Sequence, residues 1–320
     1  MNIGARTRRA LQPGAKRGTA RMLATAVLAL TAIGTGQVVI GTGTVQAAYP
    51  AILGQTIAAG REIAAMTTNT SQTRPETSAF KQSLTRALDR YLDDVPGQVA
   101  VSVRDLSTGM TYSYNPGLRT ATASIIKVDL VMALLLKAQG RRRDLTAGER
   151  QTAARAIRVS DNAAASALWS AIGGASGLAA ANKKFGLRET EPHPGGAWGA
   201  TTTSAADQVR LLTALTSPES PLSAKNRRYV LGLMGGVAPE QAWGVSASGR
   251  EGADVALKNG WLPRERHGGR WTVNSIGRVR DRRHTYMIAV ISHRHGSMGA
   301  GVKAVERVSR LVTDALAQQG

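Results

Sequence analysis

The segment from residue 124 to residue 139 constrains the fold more than any other part of the chain. Apolar residues lie on every side of the helix that it predicts, and the run from Leu130 to Leu136 has no polar residue at all. Gly140 ends the pattern. A helix without a polar face has to be buried inside other elements. The rest of the chain must therefore provide secondary structure on all sides of it.

Periodic patterns predict such elements before and after the buried helix. Apolar residues at three- and four-residue steps predict an amphipathic helix over 77–94. Alternation over 99–103, followed by a turn and the segment 110–114, predicts a β-hairpin. The capping box from Thr146 to Glu149 begins a further helix. The remaining predicted elements are helices at about 162–171, 203–216 and 222–234, strands at 255–261, 271–279 and 285–292, and a last amphipathic helix over 302–316.

Along the chain, the predicted strands thus lie near both ends and most of the predicted helices lie in the middle. The simplest assembly is an α+β fold of two lobes, in which one antiparallel sheet is flanked by the terminal helices and the other lobe is all-helical. We expect one such domain over 77–320, with the sheet lobe over about 77–120 and 250–320 and the helical lobe over about 121–249. A cleft between two lobes is a natural place for a site.

The first 48 residues have the pattern of a signal peptide. Their six charged residues are all basic and lie early, before an apolar stretch over 22–40 and a run of small residues. The string Thr7-Arg8-Arg9 weakly resembles a twin-arginine signal. The alternative is an uncleaved membrane anchor, because the stretch is long enough to span a bilayer, but glycines dilute it. We expect cleavage, secretion, and a poorly ordered lead-in over 49–76.

This export pattern changes how the charge is interpreted. The chain has 41 Lys and Arg against 21 Asp and Glu, and its net charge of +20 indicates anionic partners. Without the six early bases the net charge is +14. Because an exported protein is remote from nucleic acid, we expect no nucleic-acid partner. The basic turns at 141–143 and 278–283 either face solvent or contact an anionic cell-envelope polymer or a substrate carboxylate. The absence of cysteine excludes disulfides, thiolate zinc sites, a cysteine nucleophile and a lipid anchor on cysteine.

Three short strings supply groups for acyl transfer. Ser124 opens the buried helix with Lys127 one turn later, Ser160-Asp161-Asn162 lies between two helices, and Lys258-Asn259-Gly260 lies at the end of a strand. A serine hydroxyl is a weak nucleophile until a base takes its proton, and a lysine three residues on lies on the same face of the helix. Burial and a second cation both lower the pKa of a lysine, which makes neutral amine available. The N-terminus of a helix also favours developing negative charge.

In this order and context the strings resemble those of the serine β-lactamases and penicillin-binding D,D-peptidases, and most closely the class A β-lactamases and related exported hydrolases. The resemblance covers about 77–317 and implies a serine hydrolase that forms an acyl-enzyme and needs no cofactor or metal. It implies that Ser124 is the nucleophile and that Lys127 accepts its proton. Ser160 would relay a proton to the leaving amine. Lys258 would supply positive charge that binds a substrate carboxylate and tunes Ser160. It implies substrate contacts for Asn162, Asn259, Gly260 and Trp261, with an oxyanion hole formed by the backbone N–H groups of Ser124 and Trp261.

Two departures from the family bear on the substrate and on release of the acyl group. Asn259 stands where the family usually has Thr or Ser, so its carboxamide would have to reach a substrate carboxylate from a different position. Class A enzymes release the acyl group with a water molecule activated by a Glu from a Glu-x-x-Leu-Asn loop. Here the segment 188–199 looks shorter and lacks Leu-Asn. Glu191 and Glu189 are the candidates for the deacylation base, although we favour the interpretation that both are solvated loop carboxylates.

These features leave three functions open. The first is hydrolysis of a β-lactam or a similar amide, and the second is a D,D-peptidase, esterase or amidase activity on cell-wall peptides. The third is a penicillin sensor or cell-wall binding module that is acylated without turnover. The expected partner is a small-molecule β-lactam or an acyl-peptide. The five histidines show no metal-ligand spacing, and we expect the chain to be a monomer.

Overall fold

The computed structural model describes residues 78–319. The predicted signal peptide (1–48) and lead-in (49–76) lie outside the described residues. The strands in this range are β1 (Gln98–Asp105), β2 (Thr111–Tyr114), β3 (Thr120–Ala121), β4 (Thr202–Thr203), β5 (Asp254–Arg264), β6 (Arg270–Arg280) and β7 (Thr285–His293). The α-helices are α1 (78–92), α2 (Ile126–Gly140), α3 (Ala147–Arg158), α4 (Asn162–Ile172), α5 (Gly174–Phe185), α6 (Ala205–Thr213), α7 (Ala224–Met234) and α8 (Met298–Ala317).

The main sheet is antiparallel and combines strands from both ends of the described chain, so the α+β prediction is confirmed. Its strand order is β2-β1-β7-β6-β5. The register sets Val101 of β1 and Ser275 of β6 on the two sides of Val290 of β7. β5 is an edge strand of this sheet, whereas β3 and β4 pair with each other in a separate two-stranded sheet.

Helices cover both faces of the main sheet. Val99 and Val101 of β1 pack with apolar residues of α1 and α8 on one face. Ala100, between them, belongs to the core on the other face, which is formed with the helices from the middle of the chain. Successive side chains of a strand point to opposite faces, so β1 contributes to both cores. This double cover explains why five consecutive residues of β1 are buried.

The helix that the apolar pattern predicts is α2, and its burial is confirmed. Eleven of its fifteen residues are buried, and it contacts α3, α4, α5 and α7. Full burial of one leucine side chain contributes about 1.5–3 kcal/mol. The same packing also buries Lys127 and Asp129, the two charged residues of its first turn. The apolar helix therefore both stabilises the fold and takes a lysine out of water.

One helix, α5, is not predicted by the sequence. Gly173, Gly174 and Gly177 make this region look like a loop, but in the structure Gly173 has a left-handed backbone (φ +98°) that ends α4 and begins α5. A Cβ at Gly177 would lie 2.0 Å from the carbonyl oxygen of Ile172, so this glycine permits the tight junction of the two helices. Among the described residues no single helix is long and apolar enough to cross a membrane; α4 and α5, which meet at 78°, pass that test only when joined.

The strand β5 is longer than predicted. It continues to Arg264, so Lys258 lies in the middle of the strand and not at its end. The added residues include Pro263, which pairs in register with Trp271. Proline is tolerated here because β5 is an edge strand, one side of which makes no hydrogen bonds within the sheet. The lysine of the third string is thereby held on a long, continuous strand.

Replacing Leu130 of α2 with alanine tests the central place of this helix. We expect the free energy of unfolding to fall by about 2–5 kcal/mol, because the truncation leaves a cavity in a fully buried site. Urea denaturation followed by circular dichroism measures the change. Val159→Ala is the control, since Val159 is 54% exposed and its truncation should cost no more than about 0.5 kcal/mol. Equal losses in the two variants would contradict the packing described.

Candidate active site

Ser124 lies in a single 3₁₀ turn, Ala123–Ile125, that leads directly into α2. The serine is half-buried, whereas its neighbours in the turn are buried. Ala123 has a left-handed backbone (φ +49°), a conformation that is uncommon outside glycine and often marks functional sites. The turn therefore presents the hydroxyl to solvent at the N-terminal end of a buried helix.

Two residues of the main sheet hold this turn in place. Asn274 of β6 donates its side-chain amide to the carbonyl oxygens of Ala121 (2.8 Å) and Thr122 (3.1 Å). Gly260 of β5 packs so closely that a Cβ would lie 2.6 Å from the backbone nitrogen of Ser124. Only glycine permits this approach. Asn274 is a site residue that was not predicted from the sequence. Asparagine is uncommon inside strands, and this unusual position could have identified it.

The close packing at Gly260 also joins the two backbone segments of the predicted oxyanion hole. One N–H group belongs to Ser124 in the turn, and the other belongs to Trp261, which follows Gly260 on β5. Strand and turn are in contact at this point, as the approach of Gly260 to Ser124 shows. The two residues are therefore neighbours in the structure, and their joint role as donors stays a prediction.

The amine of Lys127 is fully buried directly behind the Ser124 hydroxyl. Its Nζ atom lies 2.9 Å from Ser124 Oγ, 3.0 Å from Ser160 Oγ and 2.6 Å from the Ser160 carbonyl oxygen. The fourth neighbour is Asn162 Oδ1 at 2.8 Å. The structure therefore brings the first two strings together at one atom.

The second string lies in the connection between α3 and α4. Ser160 has a left-handed backbone (φ +56°), and Asp161 accepts a hydrogen bond from the Ala164 amide as the N-cap of α4. This sharp turn points Ser160 Oγ between two amines, because Nζ of Lys258 lies 3.1 Å from it and Nζ of Lys127 lies 3.0 Å from it. The structure thus adds the third string to the same cluster.

Burial sets the charge state of the two lysines. It lowers the pKa of Lys127 to about 8, although the negative charge of Asp161 opposes the shift. It lowers the pKa of Lys258 to about 7, and the positive charge of Lys127 adds to that shift. An ordinary lysine has a pKa near 10.4. At pH 7 about a tenth of Lys127 and about half of Lys258 are therefore neutral, far more than of an exposed lysine.

Asn259 is not presented to a substrate as the sequence predicts. The residue is buried, and its side-chain amide donates to the carbonyl oxygens of Gln241 (2.8 Å) and Trp243 (2.9 Å). Both of its N–H groups are thereby engaged. The physical reason is that adjacent residues of a strand point in different directions, so Asn259 faces away from the lysine before it. Its carboxamide anchors the 241–243 segment beside the site.

The family model described as "Beta-lactamase enzyme family" matches residues 82–148 and 147–316, which is most of the chain. The chain belongs to the beta-lactamase enzyme family.

Solved structures with the same fold include β-lactamases and a penicillin-binding protein. The TLA-1 extended-spectrum β-lactamase superposes with a TM-score of 0.66 at 18% identity, covering 74% of this chain and 99% of that one. An acyl-enzyme complex of a PBP-A mutant with penicillin G gives a TM-score of 0.64 at 20% identity, covering 75% and 97%. These likenesses establish the fold alone.

A curated relative is LppW of Mycobacterium tuberculosis, whose name marks it as a candidate lipoprotein. It is 27% identical over 170 residues, which cover 51% of this chain and 54% of the relative. The chain thus spans about half the length of the curated relatives that it matches.

Neither candidate for the deacylation base contacts the reacting groups of this β-lactamase-family site. Glu189 pairs with Arg119, accepts a hydrogen bond from Ser204 Oγ at 2.5 Å and lies 4.0 Å from Arg210. Glu191 is exposed, and its backbone pairs with Thr202. Within residues 78–319 no carboxylate lies within 4.0 Å of Lys127 Nζ.

The loop instead contributes Trp198, whose ring lies over the amine of Lys127. Trp198 is another site residue that was not predicted from the sequence.

Replacing Gly260 with alanine tests the contact between β5 and the nucleophile turn. Because the added Cβ would collide with the backbone nitrogen of Ser124, we expect the free energy of unfolding to fall by about 1–3 kcal/mol or more. Gly296→Ala is the matched control, since a Cβ there has no atom within 4 Å and φ is not in the left-handed region. Urea denaturation of both variants measures the difference. A Gly260→Ala protein as stable as its control would show that this close contact is absent.

Proposed function

We propose that the protein is an exported serine hydrolase that attacks an amide-like carbonyl, foremost that of a β-lactam, and forms an acyl-enzyme at Ser124. The observation that carries this proposal is the 2.9 Å separation between Ser124 Oγ and Nζ of the fully buried Lys127. A neutral amine at this distance can accept the hydroxyl proton as the oxygen attacks. Family membership supports the same reaction class.

The neighbouring groups fit the rest of the acylation step. As Ser124 Oγ bonds to the carbonyl carbon, its proton passes to Lys127, and the N-terminal end of α2 favours the developing oxyanion. The amide C–N bond then breaks, and the leaving nitrogen takes a proton through Ser160 Oγ, which contacts both lysine amines. In its protonated form Lys258 adds positive charge on the side where a substrate carboxylate would bind.

A second candidate function is favoured by the surroundings of the two glutamates. Glu189 is engaged by Arg119 and Ser204, and Glu191 is exposed on the loop. Because neither glutamate contacts Ser124 or Lys127 in the described part of the chain, hydrolysis of the acyl-enzyme should be slow. This property suits a D,D-peptidase-like enzyme on cell-wall peptides, or a penicillin sensor, better than a fast β-lactamase.

An envelope location is part of the proposal. The basic and apolar N-terminal pattern supports export, and a curated relative carries a lipoprotein name. This chain has no cysteine to which a lipid could be attached, so secretion after cleavage is the favoured route. The exposed arginines at 141–143 offer positive charge to an anionic cell-envelope polymer. We propose a monomer with no nucleic-acid partner.

Incubation with a chromogenic cephalosporin tests the proposed chemistry. We expect the protein mass to rise by that of the bound acyl group, and Ser124→Ala to abolish both the mass increase and any colour change, because it removes the nucleophile. Electrospray mass spectrometry and absorbance follow the two signals.

Ser78→Ala is the matched control for this test. Ser78 and Lys81 repeat the Ser-x-x-Lys spacing in α1, but Ser78 is exposed. The control should acylate like the unaltered protein. Fast colour development with little adduct would support a β-lactamase, whereas a stable adduct would support the peptidase or sensor. A protein that forms no adduct with β-lactams, esters or acyl-D-amino acid amides would contradict the proposal.

A further inference from the structure

The indole ring of Trp198 lies over the amine of Lys127. The ring centroid lies 5.0 Å from Nζ, which is the range in which an ammonium group rests on an aromatic face. Trp198 begins a 3₁₀ turn, Trp198–Ala200, in the loop between α5 and α6. Glu189 and Glu191, the predicted candidates for the deacylation base, lie in the same loop. An aromatic ring, and not a carboxylate, faces the lysine from it.

Several contacts fix the position of this ring. The indole Nε1 donates to Ser166 Oγ of α4 at 3.2 Å. The backbone of the turn is tied to the nucleophile turn, because the Thr122 amide donates to the carbonyl oxygen of Thr201 at 2.8 Å. Thr201 in turn donates its amide to the Trp198 carbonyl oxygen at 3.1 Å. The ring is thereby braced by both α4 and the turn that carries Ser124.

The far end of the same loop is also anchored. Asp207, fully buried on α6, accepts hydrogen bonds from the backbone amides of Arg188 and Glu189 and from Thr190 Oγ1. Glu189 is thus held at its backbone as well as at its side chain. With the loop anchored in this way, the Glu189 carboxylate pairs with Arg119 and the Trp198 indole lies over Lys127.

Oxygen atoms of the site surround Lys127 Nζ at hydrogen-bond distance. An ammonium group has three hydrogen-bond donors, and four oxygen atoms of Ser124, Ser160 and Asn162 already lie within 3.0 Å of this one. The indole face covers a further side, and the residue has no accessible surface. In this arrangement Lys127 can exchange a proton with the two serines, and its three donors are already directed at protein oxygens.

This arrangement separates the two halves of an acyl-enzyme reaction. Acylation needs only a proton transfer from Ser124 to a neighbouring base. Hydrolysis needs a water oxygen to bond to the acyl carbon while a base takes a proton from that water, and the Ser124 oxygen must regain a proton as its ester bond breaks. The base and the water must stand side by side for this second half, and the Trp198 ring lies over Lys127.

We propose that Trp198 is a specificity-determining residue that keeps water from the Lys127 side of acylated Ser124 and so makes the acyl-enzyme long-lived. This inference rests on the proposed function, since it concerns the lifetime of the Ser124 adduct. It assigns the protein to the capture of an acyl donor, such as a β-lactam, with slow release to water.

The test compares how fast the adduct forms with how fast it is lost. The full-chain protein is acylated with a fluorescent penicillin, excess reagent is removed, and the adduct is followed by mass. In Trp198→Ala we expect loss of the adduct to accelerate by at least about tenfold, and by more than any change in the rate of acylation, so that the ratio of the two rates is the readout. Trp198→Phe keeps an aromatic face but loses the hydrogen bond to Ser166, so its adduct should be lost about as fast as that of Ser166→Ala and more slowly than that of Trp198→Ala. Trp271→Phe, on β6, is the control for loss of an indole elsewhere.

A second variant guards against a folding defect in Trp198→Ala. Ser166→Ala removes only the hydrogen bond to the indole and should accelerate loss of the adduct to a smaller degree. Adduct lifetimes that are the same in the unaltered, Trp198→Ala and Ser166→Ala proteins would overturn the inference and leave the proposed function standing. Equal acceleration in the Phe and Ala variants would also overturn it. Absence of any adduct in the unaltered protein would overturn the proposed function itself, and this inference with it.

Discussion

The buried ammonium of Lys127 is the constraint on which the rest of the structure depends. Removal of a lysine charge from water costs several kcal/mol, and here the neighbours within hydrogen-bond distance are hydroxyl, carbonyl and amide oxygens. Neutral oxygens satisfy the donors without cancelling the charge. The part of the desolvation cost that these oxygens do not offset lowers the pKa of Lys127 to about 8. An apolar helix that buries its own first turn is thus the physical origin of a basic amine beside Ser124.

The elements around α2 can be understood as the means of holding this amine in place. Gly260 and Asn274 fasten the nucleophile turn to two neighbouring strands, and the left-handed backbone of Ser160 turns the second string toward the lysine. Lys258 reaches the same hydroxyl from the middle of β5, where a long strand fixes its position. A sheet built from both ends of the chain and a helix from its middle therefore meet at one small polar cluster. The departures from the family pattern lie beside this cluster, at Asn259 of β5 and in the 188–200 loop.

The sequence predicts the cluster better than it predicts the surroundings of the cluster. The sequence does identify the four residues of the cluster, Ser124, Lys127, Ser160 and Lys258. A spacing of three residues places a serine and a lysine on one helix face, and burial in an apolar helix lowers the pKa of a lysine. Asn259 was misjudged because its neighbours on the 241–243 segment are distant in sequence, and only the tertiary fold reveals that their carbonyl oxygens bind its amide. Trp198 carries no local pattern that sets it apart from an ordinary loop tryptophan. The fold class followed from the order of helices and strands, whereas α5 was hidden because its glycines make a helix junction look like a loop.

The central claim, that burial makes Lys127 a base near neutral pH, can be measured directly. Selective ¹⁵N or ¹³C labelling of lysine side chains allows each amine to be titrated by NMR, and the signal that disappears in Lys127→Met identifies the residue. The structure predicts a midpoint at about 8 for Lys127 and at about 7 for Lys258. A Lys127 signal that titrates near 10.4, like an exposed lysine, would contradict the account.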